Sequence, residues 1–117
     1  MLQDDLILIE RARSNKEDFG LIYTKYRSAV HGYLLKRVDR NEEIADDLTE
    51  ETFLHALESL PNFMPTGKSY LSYLLTIAHN ILLNYYRTKK PVALDEYDKI
   101  LSSGSEEESL DHIEVHQ

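Results

Sequence analysis

Apolar residues recur along this chain at helical spacing, most strongly in the run Ser69-Tyr-Leu-Ser-Tyr-Leu-Leu-Thr-Ile-Ala-His-Asn-Ile-Leu-Leu-Asn-Tyr-Tyr-Arg-Thr-Lys-Lys90. Leu71, Leu74, Leu75, Ala78, Ile81, Leu82 and Tyr85 fall at i, i+3, i+4 and i+7 and predict one helix. Tyr70, Tyr73, Ile77 and Leu83 carry apolar surface further round its axis, so other helices must cover it on more than one side. A membrane span needs roughly 20 predominantly apolar residues. Ser72, Thr76, His79, Asn80 and Asn84 interrupt this run, which makes it a buried central helix. Upstream, residues 4–13 predict a short helix with Leu6, Ile9 and Ala12 facing inward. Ser14-Asn-Lys-Glu17 has the form of a capping box. A second helix starts there, with Phe19, Ile22, Tyr23, Tyr26, Val30, Tyr33, Leu34 and Val38 inward and Lys25, Arg27, Lys36, Arg37 and Arg40 toward solvent. Asp39 or Asn41 caps a third helix over residues 41–59. The expected fold is all-α, a compact bundle of about four helices.

The polar positions carry the functional content. On the third helix Glu42, Glu43, Asp46, Asp47, Glu50 and Glu51 cover about half the wheel, while Ile44, Ala45, Leu48, Thr52 and Ala56 occupy the other half. None of the six acids has a Lys or Arg at i+4. Like charges at that spacing cost about 0.2–0.5 kcal/mol each, so either a cationic partner or a plain solubilising face accounts for them. On the central helix His79, Asn80, Asn84 and Arg87 gather on one side. That side ends in Arg87-Thr-Lys-Lys90, where bases suit phosphate contact and also suit the free carbonyls of a helix C-terminus.

Between these helices, Pro61 to Ser69 is a turn-rich connection carrying Pro65 and Gly67. Phe63, Met64, Asn62, Thr66 and Lys68 combine stacking surface, hydrogen-bonding groups and a cation, the set that holds an unstacked base. An ordinary interhelical loop shares that composition. Pro91 stops the central helix. Beyond it lies Ser102-Ser-Gly-Ser-Glu-Glu-Glu-Ser109, a composition that builds no core. The length of 117 residues suits one domain, residues 1–91, followed by an acidic tail, residues 92–117.

The net charge of −8 weighs against nucleic acid only until it is divided. From Asp95 onward there are eight acids and one base, so residues 1–94 are nearly neutral at −1. Asn41 to Leu60 holds seven carboxylates and no Lys or Arg, whereas Pro61 to Leu94 holds four bases and no carboxylate. Such segregation offers one face to a basic partner and another to phosphates.

Catalytic and metal chemistry find little support. The chain has no cysteine, which removes disulfides and thiolate metal sites. Glu51 and His55 are four apart, not in the Glu-x-x-His spacing of a di-iron bundle. There is no Gly-rich phosphate loop, nucleophile elbow or His-Glu-x-x-His. No enzyme activity, metal or cofactor is expected. The first eleven residues place acids where a signal peptide needs bases, and a cytoplasmic location is expected.

The order of elements and three motifs resemble region 2 of the sigma-70 family of bacterial RNA polymerase sigma factors, in the extracytoplasmic-function group. Asp18-Phe-Gly-Leu-Ile-Tyr-Thr-Lys-Tyr26 is similar to the acidic-Phe-x-x-Leu-Tyr-x-x-Tyr opening. Asp47-Leu-Thr-Glu-Glu-Thr-Phe-Leu-His-Ala56 is similar to Asp-Leu-x-Gln-Glu-Thr-Phe-x-x-Ala. Tyr70-Leu-Ser-Tyr-Leu-Leu-Thr-Ile-Ala-His-Asn80 is similar to Phe-x-x-Trp-Leu-x-x-Ile-Ala-Arg-Asn. The resemblance spans Leu6 to Lys90. It implies that Asp46, Asp47, Glu50 and Glu51 meet the clamp helices of the polymerase beta-prime subunit. It also implies that the loop residues Asn62, Met64, Thr66, Lys68 and Ser69, with His79, Asn80, Asn84 and Arg87, contact the promoter −10 element and its non-template strand. Opening the strands then draws on stacking and phosphate contacts, not on hydrolysis.

The chain departs from the pattern at Glu50 for glutamine, Tyr73 for tryptophan, His79 for arginine and Asn84 for aspartate. Tyr70 and Tyr73 are expected to serve the core. A full factor adds a region 4 domain after a linker, so the tail is read as that linker, either in a fragment or in a stand-alone region 2 protein. An anti-sigma factor is a further possible partner. Two other function classes stay open on the residues: a sigma-like interaction module that binds polymerase or an anti-sigma factor without DNA, and a small metal-dependent bundle.

Overall fold

The computed structural model describes residues 3–88. The predicted acidic tail, Lys89 and Lys90 lie outside the described residues. Four helices follow in order: α1 (Gln3–Ser14), α2 (Phe19–Leu35), α3 (Glu42–Ser59) and α4 (Tyr70–Thr88). Single 3₁₀ turns, Lys16–Asp18 and Leu60–Asn62, precede α2 and follow α3. Among the described residues there is no strand, and no helix is long and apolar enough to cross a membrane.

The core forms where the apolar stripes meet. α2, α3 and α4 each pack against the other two, and α1 lies across α2 and the Leu60–Asn62 turn. Val30, Leu34, Ala45, Leu74, Ala78 and Leu82 are fully enclosed at the centre. Each large aliphatic side chain buried in this way contributes about 1.5–3 kcal/mol. On α4 the buried set is Tyr70, Leu74, Leu75, Ile77, Ala78, Leu82 and Tyr86. Tyr86 is therefore the buried tyrosine of the last turn and Tyr85 is only half-buried, a shift of one position from the expected stripe. The Tyr86 hydroxyl donates to the Arg37 carbonyl at 2.6 Å and ties the end of α4 to the α2–α3 turn.

Several local expectations are corrected. Ser14 is the last residue of α1 and caps nothing; Asn15 does so instead, its Oδ1 accepting from the Glu17 amide at 3.1 Å. α2 ends at Leu35, and residues 36–40 turn the chain, with Asp39 and Arg40 at φ 56° and 58°. The third helix is capped as expected by Asn41, whose Oδ1 accepts from the Ile44 amide at 3.0 Å. Arg37, expected in solvent, is 4% exposed. Its guanidinium donates to the Tyr33 carbonyl at 2.7 Å and lies 3.8 Å over the Tyr33 ring, so hydrogen bonding and cation–π contact replace its hydration.

Asp5 is the other buried charge, 1% exposed and on the inner face of α1 beside Ile9 and Ala12. It accepts from Lys25 Nζ at 2.7 Å and from the Tyr26 hydroxyl at 2.6 Å. Burial, followed by the bond to Asp5, pushes the Tyr26 phenol up to about 12. Leu6, expected inward, is half-buried.

Candidate functional site

Six carboxylates run down the outer side of α3, all exposed. The packing of α2 divides them. Arg27 Nη2 pairs with Asp46 at 3.1 Å, and its Nε lies 3.8 Å from Glu50 and donates to the Tyr23 hydroxyl at 2.9 Å. That hydroxyl in turn donates to Glu50 at 2.5 Å. The Glu50 carboxylate that accepts its proton, helped by burial, raises the Tyr23 pKa. His31 Nε2 approaches Asp46 at 3.0 Å and Glu42 at 3.3 Å. Three of the six, Glu42, Asp46 and Glu50, thus meet Arg27 or His31 of the neighbouring helix. These pairs are half exposed and worth about 0–1 kcal/mol each. Asp47, Glu51 and Glu43 have no ion-pair partner among the described residues. Glu42, Asp46 and Glu50 line the seam with α2, while Asp47 and Glu51 point their charge outward.

His31, Glu42 and Asp46 are also a grouping of metal-capable ligand atoms, all within 4.8 Å of one another. Two of the three are exposed carboxylates, and Asp46 already holds the Arg27 guanidinium.

The connection from α3 to α4 is pinned at both ends. Leu60 and Phe63 are buried, and the Phe63 ring packs against Tyr73 at 4.6 Å and edge-on against Tyr70 at 5.3 Å. Phe63 is therefore core and not a stacking platform, which corrects the reading of it as open loop surface. Arg13 of α1 donates to the Phe63 carbonyl and, at 3.4 Å, to the Leu60 carbonyl, fixing the loop base from the far side.

Between those anchors Asn62, Met64, Pro65, Thr66 and Gly67 are exposed, Met64 at 76%. Thr66 Oγ1 accepts from the Lys68 amide at 3.1 Å. The Ser69 hydroxyl accepts from the Ser72 amide at 3.1 Å and caps α4, so this candidate contact already has a structural role. Lys68 is half-buried.

On α4, Asn80, Asn84 and Arg87 form an exposed stripe beyond the loop. His79 does not join it fully: the ring is half-buried and its Nδ1 lies 3.3 Å from the Tyr33 hydroxyl. Burial first, then the nearby Arg37 guanidinium, lower its pKa. The ring is accordingly a neutral hydrogen-bonding group and no substitute for an arginine charge. Tyr70 is buried and Tyr73 half-buried, and their rings lie 5.3 Å apart, in keeping with the core role expected of both.

A sequence model of sigma-70 region 2 matches residues 22–92. The chain belongs to the sigma-70 region 2 family. Among its relatives, the ECF RNA polymerase sigma factor BldN of Streptomyces coelicolor is 36% identical over 84 residues, covering 71% of this chain and 31% of that protein. The RNA polymerase sigma factor YlaC of Bacillus subtilis is 33% identical over 78 residues, 67% of this chain and 44% of that protein. An ECF RNA polymerase sigma factor SigK of a Mycobacterium strain is 25% identical over 109 residues, 93% of this chain and 55% of that protein. The chain thus spans about a third to about half the length of these curated relatives. No solved structure matches it. Sigma factors are transcription initiation factors and not enzymes, which agrees with the absence of catalytic motifs from the sequence.

Proposed function

We propose that this region 2 domain binds core RNA polymerase through the outward carboxylates of α3. In the same reading it holds the opened −10 element of a promoter with the loop before α4 and the exposed side of that helix. The observation that carries this is the separation of the two surfaces. Asp47 and Glu51 are exposed with no ion-pair partner among the described residues, while the segment of Asn62, Met64 and Thr66 is exposed with no carboxylate in it. A basic helix such as the beta-prime clamp suits the first surface. A single strand suits the second, where Met64 offers an apolar face, Asn62 an amide, and Lys68 and Arg87 charges for phosphates.

Asp46 and Glu50 take part chiefly by positioning, through Arg27 and Tyr23, with Glu50 still within reach of the partner. Asn80, Asn84 and Arg87 extend the strand surface along α4, with His79 and Ser69 behind it. Residues 92–117 serve in this reading as the linker toward a further promoter-binding domain. An anti-sigma factor that covers the α3 face would compete with polymerase.

The test is fluorescence anisotropy with single-stranded oligonucleotides carrying −10-like sequences, alone and with core polymerase present. Binding that strengthens as salt falls and is lost in Met64→Asp supports the strand surface. A second reading, a sigma-like module that binds polymerase or an anti-sigma factor but not DNA, draws on the neutrality of His79 and the buried position of Phe63. Polymerase binding with no oligonucleotide affinity, even at low salt, would establish it.

A further inference from the structure

Beside the acidic face, the first turn of α2 and the C-terminal half of α3 leave an open groove of about 340 Å³. Phe19, Phe53 and Leu57 line it, with Gly20 on the α2 wall and Glu50 and Leu54 on the α3 wall. The two phenylalanines are buried and meet edge to face, so the base of the groove is rigid core surface. Gly20 contributes no side chain to the groove's α2 wall. A Cβ built on Gly20 meets nothing within 4 Å, and its backbone is ordinary right-handed helix. Neither packing nor conformation requires glycine there, and within a helix glycine is less stable than alanine. Leu54 is 55% exposed on the rim, seven residues beyond Asp47 and three beyond Glu51. One stripe of α3 therefore presents two outward carboxylates and then an apolar notch, over about 10 Å of helix rise.

We propose that this groove receives a large apolar side chain from the same basic helix of core polymerase that meets Asp47 and Glu51. The inference rests on the polymerase-binding reading above and adds a second, non-electrostatic anchor to it. Charge complementarity selects the occupant: a helix with Lys or Arg about two turns from a Leu, Ile, Met or Phe fits the stripe. Lys16 lies at the groove and disfavours a further base on that flank. The carboxylates steer the helix in and the groove fixes its register, since exposed charges alone give rate and orientation more than affinity.

Binding of the N-terminally labelled full chain to purified core polymerase, followed by fluorescence anisotropy, tests this in Gly20→Ala, Gly20→Leu and Leu54→Asn. Gly20→Ala leaves the groove open and keeps affinity within about twofold, with a raised Tm. Gly20→Leu fills the groove and weakens binding about tenfold or more while the chain stays folded. Leu54→Asn removes the rim contact at an exposed position and weakens binding in the same direction, and it serves alone if Gly20→Leu does not fold. The loss persists at high salt, unlike losses from exposed carboxylates. Unchanged affinity in Gly20→Leu and Leu54→Asn, with binding lost in Glu51→Lys, overturns the groove proposal and leaves the polymerase reading standing. Unchanged affinity in all of them removes both.

Discussion

Glu51→Lys separates a residue kept for a partner from one kept for the fold. Glu51 is exposed, lacks an ion-pair partner among the described residues, and follows Asp47 by four positions on α3. The wild-type pair repels by about 0.2–0.5 kcal/mol, and an acid followed by a lysine at i+4 attracts by a similar amount. The substitution thus stabilises the helix by about 0.5–1 kcal/mol. For a domain of this size that raises Tm by about 2–8 °C. Against a cationic helix the sign reverses. One attraction of about 1 kcal/mol at a solvent-exposed separation of about 4 Å is lost and one repulsion of the same size appears. The sum, about 2 kcal/mol, weakens polymerase binding about thirtyfold, and added salt shrinks the effect.

Glu50→Lys is the contrast. In the proposed polymerase-binding reading it also faces the partner, but it breaks the Tyr23 hydrogen bond and sets a second base beside Arg27, so it lowers Tm. Thermal melts and anisotropy titrations with core polymerase read both quantities. A Glu51→Lys protein with lower Tm, or with undiminished affinity, would refute the reasoning that this carboxylate is held in reserve for a partner.

Other outcomes follow from the interior. Asp5→Ala strands the Tyr26 hydroxyl and leaves Lys25, whose side chain is 36% exposed, to turn toward water; the expected loss is about 2–3 kcal/mol by urea denaturation, and a loss below about 1 kcal/mol would show that the buried pair contributes little. Arg40→Gly relieves a left-handed residue at φ 58° and gains about 1 kcal/mol; a lowered Tm in the melt would contradict this. His79 binds its proton less readily when folded than when unfolded, so its contribution is level above the unfolded value of 6.5 and stability falls as pH drops below it. Melts of wild type and His79→Gln between about pH 7.5 and about pH 5.5 should show a shallower decline in the variant; parallel curves would contradict that.

Much of this molecule could be read in one dimension. Helical spacing places Ile22, Val30, Leu34, Leu48, Leu74 and Leu82 on inward faces, because the period of a helix turns residue order directly into direction. The acidic half-wheel of α3 and the carboxylate-free stretch after Pro61 are visible for the same reason. The motif spacing around Asp47 and Asn80 likewise carries the resemblance to the sigma-70 region 2 family, to which the chain belongs.

What periodicity does not encode is which distant group answers a charge or fills a gap. Asp5 meets Lys25 at a separation of 20 residues, Arg27 meets Asp46 at 19, Tyr86 meets the Arg37 carbonyl at 49 and Arg13 meets the Phe63 carbonyl at 50. Each pairing depends on how helices cross. Arg37 became core, Asp46 and Glu50 became half-committed, Phe63 left the open surface, and Asp5 is a buried charge that nothing in the sequence signalled. Gly20 shows the same limit in reverse, since the space beside a residue belongs to its neighbours. Residue order thus determined the helices, their inward faces and the charge of each surface, all of which depend on near neighbours along the chain. Only the packing of α1 and α2 against α3 and the loop decided which carboxylates stay available and which are spent on the fold, because an ion pair forms between groups close in space whatever their distance along the chain.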